Sequence, residues 1–224
     1  MRLNVNVTVC ATCNYWFYLD HLLLVSIKIL MYVHSLCLEC TVRSQSRPGQ
    51  PWGQIQALVD TTPFFQYDTD NSTVKYLGPV GEKVNATKAL TELTQTLGEV
   101  MQELRMILSD TQLEKNKTRG LPTLQVKVFC QREEERCTGA SWQLSISGQT
   151  ALLFDAMNMN WTVMNAEARR TKEEWEDRGL AEYFRKLSIG DCNHWLREFL
   201  QHWETMPKQT DREPVHCPSD HWSA

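Results

Sequence analysis

The chain has 224 residues, a formal net charge of −4 and 42% hydrophobic residues, values typical of one or two globular domains. It contains no run of five or more Lys and Arg residues, and its acidic balance provides no basic surface. The composition therefore argues against a nucleic-acid-binding protein and leaves enzymes, carriers and interaction proteins open.

Residues 1–35 are predicted to be an atypical leader. An apolar run over residues 22–33 is followed by Val33-His34-Ser35, which ends in the small residue expected at a signal-peptide cleavage site. Because two charged residues interrupt the apolar region, a membrane anchor and a start that targets poorly are the alternatives. Cleavage after Ser35 would leave a mature charge of −5.

The next segment predicts strands followed by one helix. Short apolar and β-branched runs between turn residues predict strands at 41–43, 54–59, 64–67 and 74–77. Gly78–Gly81 is predicted to be a turn. A helix is predicted from about Ala86 to Gln112, with Asn85 or Thr87 as its N-cap, because leucines and other apolar residues recur at steps of three and four.

The second half repeats this order. Strands are predicted at 124–129, 142–146, 152–154 and 161–164, with a turn at 137–141. A helix is predicted to begin near Glu167, to break around Gly179 and at Ser188–Gly190, and to restart at Asp191. The order of strands and helices in the two halves predicts an α+β fold over residues 36–206. In this fold one eight-stranded antiparallel sheet lies under two helices, and the second helix is kinked. Residues 207–224 are predicted to be a disordered tail.

Cysteine positions indicate an oxidising compartment. A bridge between Cys130, at the end of a predicted strand, and Cys192, at the start of a helical stripe, would attach a helix to the sheet across 62 residues. In the chain-entropy model such a closure is worth roughly 4 kcal/mol. Two Cys-x-x-Cys pairs lie in residues 10–40, but no His pair accompanies them at zinc-finger spacing, so no metal site is expected. Cys37, Cys40 and Cys217 are candidates for another bridge, and Cys137 has no obvious partner.

Glycosylation sequons support secretion independently. The pattern Asn-x-Ser/Thr occurs at four positions after the leader, which are therefore expected to carry N-glycans: Asn71, Asn85, Asn116 and Asn160.

These elements and several motifs resemble the class I major histocompatibility (MHC class I-like) platform, and more closely the retinoic-acid-early-transcript family, or cytomegalovirus glycoprotein-binding proteins. In that superfamily a sheet cysteine bridges one at the start of a helical segment, and Cys130 and Cys192 match those positions. The motifs that carry the resemblance are Ser46–Trp52, Lys83–Thr87, Phe129–Glu133, Cys137–Gln143, Leu152–Asp155 and the segment around Cys192.

The resemblance implies a cell-surface ligand without enzymatic activity or cofactor. Its partner would be an activating, homodimeric, lectin-like receptor on natural killer and cytotoxic T cells, and viral immune-evasion glycoproteins are a further partner class. Neither a light chain nor a bound peptide is expected. The chain departs from its relatives at Gly53 and near Thr69, where they carry cysteines, and it shows no C-terminal anchor signal. A secreted form is therefore expected, with a truncated sequence as the alternative.

Outward-facing positions on the two helices are the candidate receptor-binding residues. On the first helix they lie opposite Leu93, and on the second they point away from Leu180 and Phe184. They are Gln95, Glu99, Gln102, Met106, Arg178, Glu182 and Arg185. An ordinary solvated face is the alternative for the charged residues.

The same region raises two other functional hypotheses. A nucleophile built from Cys192, Asp191 and His194 is disfavoured because a bridged sulfur has no thiolate. A carrier of peptide or lipid between the helices is the alternative to a receptor ligand.

Overall fold

The computed structural model describes residues 33–85, 87–110, 123–166 and 168–203. From His34 onward the chain forms one compact unit. Eight strands form a single sheet in the order β4-β3-β2-β1-β5-β6-β7-β8, which confirms the predicted platform. The strands are β1 Val33–Arg43, β2 Gly53–Val59, β3 Thr62–Asp68, β4 Thr73–Tyr76, β5 Thr123–Glu133, β6 Arg136–Ile146, β7 Gln149–Asp155 and β8 Asn160–Val163.

The two halves of the sheet have the same construction. In each half, consecutive strands pair antiparallel through short turns, and the long first strands β1 and β5 lie side by side at the centre. The first predicted strand was too short, because β1 extends back to Val33. The predicted turn at 137–141 was wrong. These residues belong to β6, which pairs with β5 as far as Glu133↔Arg136.

In the described ranges, five α-helices follow the strands of their respective halves: α1 Gly78–Val84, α2 Lys88–Asp110, α3 Ala168–Asp177, α4 Leu180–Arg185 and α5 Cys192–Trp203. The predicted first helix is confirmed as α2. Thr87 lies immediately before it, and its hydroxyl accepts a hydrogen bond from the Leu90 N–H at 3.3 Å, as an N-cap does.

The predicted turn at Gly78–Gly81 was wrong, because these residues begin helix α1. Pro79 occupies the first turn, where its missing N–H costs nothing, and Val80 and Val84 are buried. Gly81 packs so tightly that a Cβ there would overlap the Phe64 carbonyl oxygen. The absence of a side chain at Gly81 lets the helix lie against β3.

The second helix is segmented, but only one of its two predicted breaks occurs. Gly179 has φ +70°, a left-handed conformation that ends α3 and allows α4 to begin. At the other position the chain stays helical as a wider π-helical segment, Lys186–Asp191. The buried Ser188 hydroxyl donates to the Phe184 carbonyl at 2.6 Å, and the Asn193 side-chain amide donates to the Ser188 carbonyl at 3.1 Å. These bonds hold the turn that sequence analysis interpreted as a break.

The core lies between one face of the sheet and the apolar stripes of the helices. Its second half is built on aromatic rings: Trp142 stacks on Phe184 with ring centroids 4.0 Å apart, and Trp175 packs edge-on against Phe184 at 5.7 Å. A smaller group under α5 places Phe64 5.1 Å from Phe199. The helices are therefore fixed to the sheet along both halves.

The predicted covalent link between sheet and helix is confirmed. Cys130 on β5 and Cys192 at the start of α5 form a disulfide with their Cα atoms 6.2 Å apart. Nearby, the buried guanidinium of Arg132 donates to the Asn193 carbonyl at 3.1 Å and to the Glu134 carbonyl at 2.7 Å. The bond between Arg132 and Asn193 gives β5 and α5 a second connection next to the disulfide.

The remaining cysteines differ in state. Cys37 is disulfide-bonded, whereas Cys40 is a buried free thiol and Cys137 a half-buried free thiol. Desolvation by burial raises the pKa of Cys40 to about 12. Cys217, the tail and Asn116 lie outside the described residues.

The predicted leader lies outside the described residues, apart from Val33–Ser35, which are part of β1. The Ser35 N–H is buried and donates to Asp60 at 2.8 Å, and His34 Nδ1 lies 2.7 Å from the same carboxylate. Across the described part of the chain, no helix has the length and apolar character needed to cross a membrane.

Candidate recognition surface

The predicted binding residues lie on the upper surface of the platform, which is the side of α2 and α4 that faces away from the sheet. Gln95, Glu99, Gln102 and Met106 all lie on α2, Glu182 and Arg185 lie on α4, and Arg178 follows α3 directly. All seven side chains are exposed, as the helical pattern predicted. Met106 is 51% exposed, an unusual fraction for a large apolar side chain. Whether these residues touch a partner remains a prediction.

The structure places one aromatic residue at this surface that sequence analysis did not select. Tyr183 on α4 is 37% exposed and stands beside the core residue Phe184, with ring centroids 6.1 Å apart. Burial of part of the ring raises the pKa of the Tyr183 hydroxyl, and the nearby carboxylates Glu99 and Glu103 of α2 raise it further. Tyr183 therefore lies between the two helices. The sequence feature that could have identified Tyr183 as an exposed aromatic residue was its position next to Phe184, on the outer side of the apolar stripe.

A polar contact joins the two helices nearer the start of α2. Glu92 Oε2 lies 3.6 Å from His194 Nε2 on α5, and Lys88 Nζ lies 2.9 Å from Glu92 Oε1. The hydrogen bond from Lys88 lowers the pKa of Glu92. On the other side of the imidazole ring, Arg197 lies 3.0 Å from His194 Nδ1. His194 thus contacts Glu92 and Arg197 at the surface, and the sulfur of Cys192 is bridged, so the two residues form no nucleophile–base pair.

The space beneath the helices is largely filled by side chains. A cavity of about 10 Å³ lies below the ends of α2 and α3, and its walls include Ile107, Leu108, Leu144 and Trp175. This volume corresponds to about one water molecule, and the lining is apolar. The cavity is far too small for a peptide side chain or an acyl chain.

The outer side of α2 packs on the segment that follows β1. Arg105 stacks over the Trp52 ring at 4.5 Å from its centroid. A Cβ at Gly53 would lie 2.7 Å from Thr69 Oγ1, which itself donates to the Gly53 carbonyl at 2.8 Å. Gly53 and Thr69 are therefore in contact, and a hydrogen bond joins them.

No group of three or more His, Cys, Asp or Glu side chains arranged to hold a metal ion occurs in the ranges that the structure describes. The candidate recognition features there are the two exposed ridges, the partly exposed Tyr183 and the sheet that supports them.

Comparison with known proteins accords with this architecture. A family model described as "Class I Histocompatibility antigen, NKG2D ligand, domains 1 and 2" matches residues 32–205. The chain is 56% identical over 204 residues to human retinoic acid early transcript 1E, covering 91% of this chain and 77% of that protein. It is 40% identical to human UL16-binding protein 1, covering 77% and 71%, and 42% identical to human UL16-binding protein 6, covering 75% and 68%.

The family match spans most of the chain, and its two-domain platform is the fold described above. The family consists of ligands and not of enzymes. The chain therefore belongs to the family of class I histocompatibility-like NKG2D ligands that includes the retinoic acid early transcript and UL16-binding proteins.

Proposed function

We propose that this protein binds NKG2D, the activating homodimeric receptor of natural killer and cytotoxic T cells, through the upper surface of α2 and α4. The observation that carries the proposal is the arrangement of seven exposed side chains on two helical ridges. The description of the family model that matches this chain names the same receptor. The ridges stand on one continuous sheet, and a disulfide fixes the second ridge. Binding then requires little ordering of the ligand, which favours affinity.

Two apolar side chains supply the centre of the proposed contact. Met106 and Tyr183 are large and partly exposed, and the other exposed side chains of the two ridges are polar or charged. Interfaces commonly have this composition, with aromatic or flexible apolar anchors inside a polar rim. Gln95 and Gln102 on α2, with Arg178 and Arg185 on the other ridge, form that rim.

Display by the outer surface is favoured over presentation of a bound molecule. The cavity beneath α2 and α3 has room for about one water molecule, and Glu92 and His194 connect the helices above the sheet. A carrier would need a groove several times larger.

We propose that the protein acts as a secreted ligand. Export is supported by the Cys130–Cys192 disulfide, which requires an oxidising compartment, and by the exposed sequon residues Asn71, Asn85 and Asn160. A secreted monomer would occupy receptors without clustering them and so would reduce killing. Detection of the folded protein in the medium of expressing cells tests this part independently of receptor binding.

Surface plasmon resonance with the immobilised receptor ectodomain tests the binding site. The oxidised protein should give a saturable signal, and a Met106→Ala/Tyr183→Ala double variant should bind at least tenfold more weakly, since each anchor is expected to contribute more than about 1 kcal/mol. Gln149→Ala, at an exposed position at the start of β7, is the matched surface control and should bind like the wild type. The absence of a saturable signal from the wild type would reject the function, and equal binding by all three proteins would reject the site.

The names of the UL16-binding relatives add viral glycoproteins as a second partner class. The same chip with an immobilised viral glycoprotein ectodomain tests that interaction separately.

A further inference from the structure

The two outermost strands of the sheet are equivalent in position but differ in sequence. β4 and β8 are the terminal strands, each is four residues long, and each pairs in the same register with the strand before it. Asp68 pairs with Thr73 in the first half, and Asp155 pairs with Asn160 in the second. Lys75 and Thr162 are therefore matching positions, the third residue of each strand.

A terminal strand leaves backbone donors and acceptors open to a strand from another molecule, and proteins block this pairing with charged side chains or a cover. β4 carries the exposed charge of Lys75. β8, whose residues are Asn160-Trp161-Thr162-Val163, carries no charge. Two exposed methionines flank it, Met157 at 41% and Met164 at 52% exposure. By charge alone, β8 is the less protected of the two edges.

The same uncharged strand begins with a glycosylation sequon. Asn160 and Thr162 are exposed, whereas Trp161 between them is buried. Alternate residues of a strand point to opposite faces, so Asn160 and Thr162 lie on the face away from the helices. A glycan on Asn160 would therefore project from that face at the start of β8, where it would obstruct a strand approaching the edge, and would leave the upper surface of α2 and α4 free.

We infer that Asn160 carries an N-linked glycan whose role is to block strand addition at the β8 edge, the role that Lys75 fulfils at β4. In the secretory pathway the side-chain amide nitrogen of Asn160 would attack the anomeric carbon of a lipid-linked oligosaccharide diphosphate. The new C–N bond forms as the C–O bond to the lipid diphosphate breaks, and the amide nitrogen loses one proton. The inference requires export of the protein but not receptor binding.

The first measurement is peptide mapping of exported wild-type protein. Glycopeptides containing Asn160 are expected, and recovery of that peptide only in unmodified form, from protein glycosylated at its other sequons, would overturn the inference.

The second measurement separates covering of the edge from a general effect of glycosylation. Thr162→Val removes the sequon and leaves the edge uncharged, whereas Thr162→Lys removes the same sequon but supplies the charge found at Lys75. Light scattering during size-exclusion chromatography should show loss of the monomer for Thr162→Val and a retained monomer for Thr162→Lys. Asn71→Gln, which removes a sequon beside the charged β4 edge, should remain monomeric.

A monomeric Thr162→Val protein, or association of both Thr162 variants, would contradict the assigned role. If Thr162→Val does not leave the cell, the folded wild-type protein can be trimmed with an endoglycosidase that leaves one sugar on each asparagine. Trimming should then produce association in the wild type and not in Thr162→Lys, and a monomeric trimmed wild type would equally overturn the inference.

Discussion

The two halves of the platform have the same order of elements but are held together differently. In the second half a disulfide joins β5 to α5, and Arg132 adds a hydrogen bond to the Asn193 carbonyl beside it. In the described residues of the first half, noncovalent contacts hold α2 against its neighbours, including the stacking of Arg105 on Trp52. The hydrogen bond from Thr69 to Gly53 joins the start of β2 to the segment that follows β3. One architecture therefore tolerates two means of fixing a helix to a sheet.

The difference coincides with the form of the helices. α2 is a single helix of 23 residues with one apolar stripe, whereas the second helical region is divided by Gly179 and by the π-helical segment Lys186–Asp191. A divided helix has more ways to open locally. The disulfide acts at the end of its π-helical segment, where such opening would otherwise begin.

The largest effect is expected from removing the covalent link. In the Cys130→Ala/Cys192→Ala variant, the free energy of unfolding should fall by about 4 kcal/mol, because closing a 62-residue separation restricts the unfolded chain. Denaturant titration measures this loss. Relative to the wild type, amide hydrogen exchange in this variant should become faster in Lys186–Trp203 than in β2 and β3. Cys137→Ala, which removes a free thiol, is the control, and equal stability of the two variants would contradict the assigned role of the disulfide.

A smaller effect of opposite sign is expected from adding a link to the first half. Gly53→Cys together with Thr69→Cys should form a disulfide, because a Cβ at Gly53 lies within 2.8 Å of both γ atoms of Thr69. The loop is 16 residues long, so the gain should be roughly 3 kcal/mol.

Denaturation of the double variant beside Thr69→Cys alone, both oxidised and both with the Cys130–Cys192 bond intact, isolates the contribution of the new bond. A double variant no more stable than this control would show that the hydrogen-bonded contact already fixes this segment.

The sequence predicted the fold because its signals were periodic and well separated. The leucine stripe of α2 and the positions of Cys130 and Cys192 fixed the layer order and the link between layers. Glycine and serine were less informative as local signals. Gly78 and Gly81 suggested a turn although Gly81 serves close packing in α1, and Ser188 suggested a break although its side chain stabilises the π-helical segment. Such roles depend on neighbours distant in sequence.

The candidate surface was also predictable only in part from the sequence. Helical spacing correctly predicted that the seven candidate residues are exposed. It did not select Tyr183, because an aromatic residue beside Phe184 is ordinarily counted with the core. The carboxylates of Glu99 and Glu103, which lie near Tyr183 across the helices, come from the other half of the chain. Only the folded structure brings them together.

The smallest effect concerns the reactivity of one free thiol in each half. Burial raises the pKa of Cys40 on β1 to about 12, against an ordinary value of 9.0, so at pH 8 its thiolate is about a thousandfold rarer than in the unfolded chain. Cys137 on β6 is only half buried. Iodoacetamide should therefore alkylate Cys137 in the native protein and Cys40 only after unfolding, as followed by mass spectrometry of the peptides. Above about pH 9 the unfolded chain loses the Cys40 proton while the folded protein keeps it, so the free energy of unfolding should decline as pH rises toward 12. Rapid labelling of Cys40 under native conditions would show that β1, and with it the half without the Cys130–Cys192 bond, opens locally.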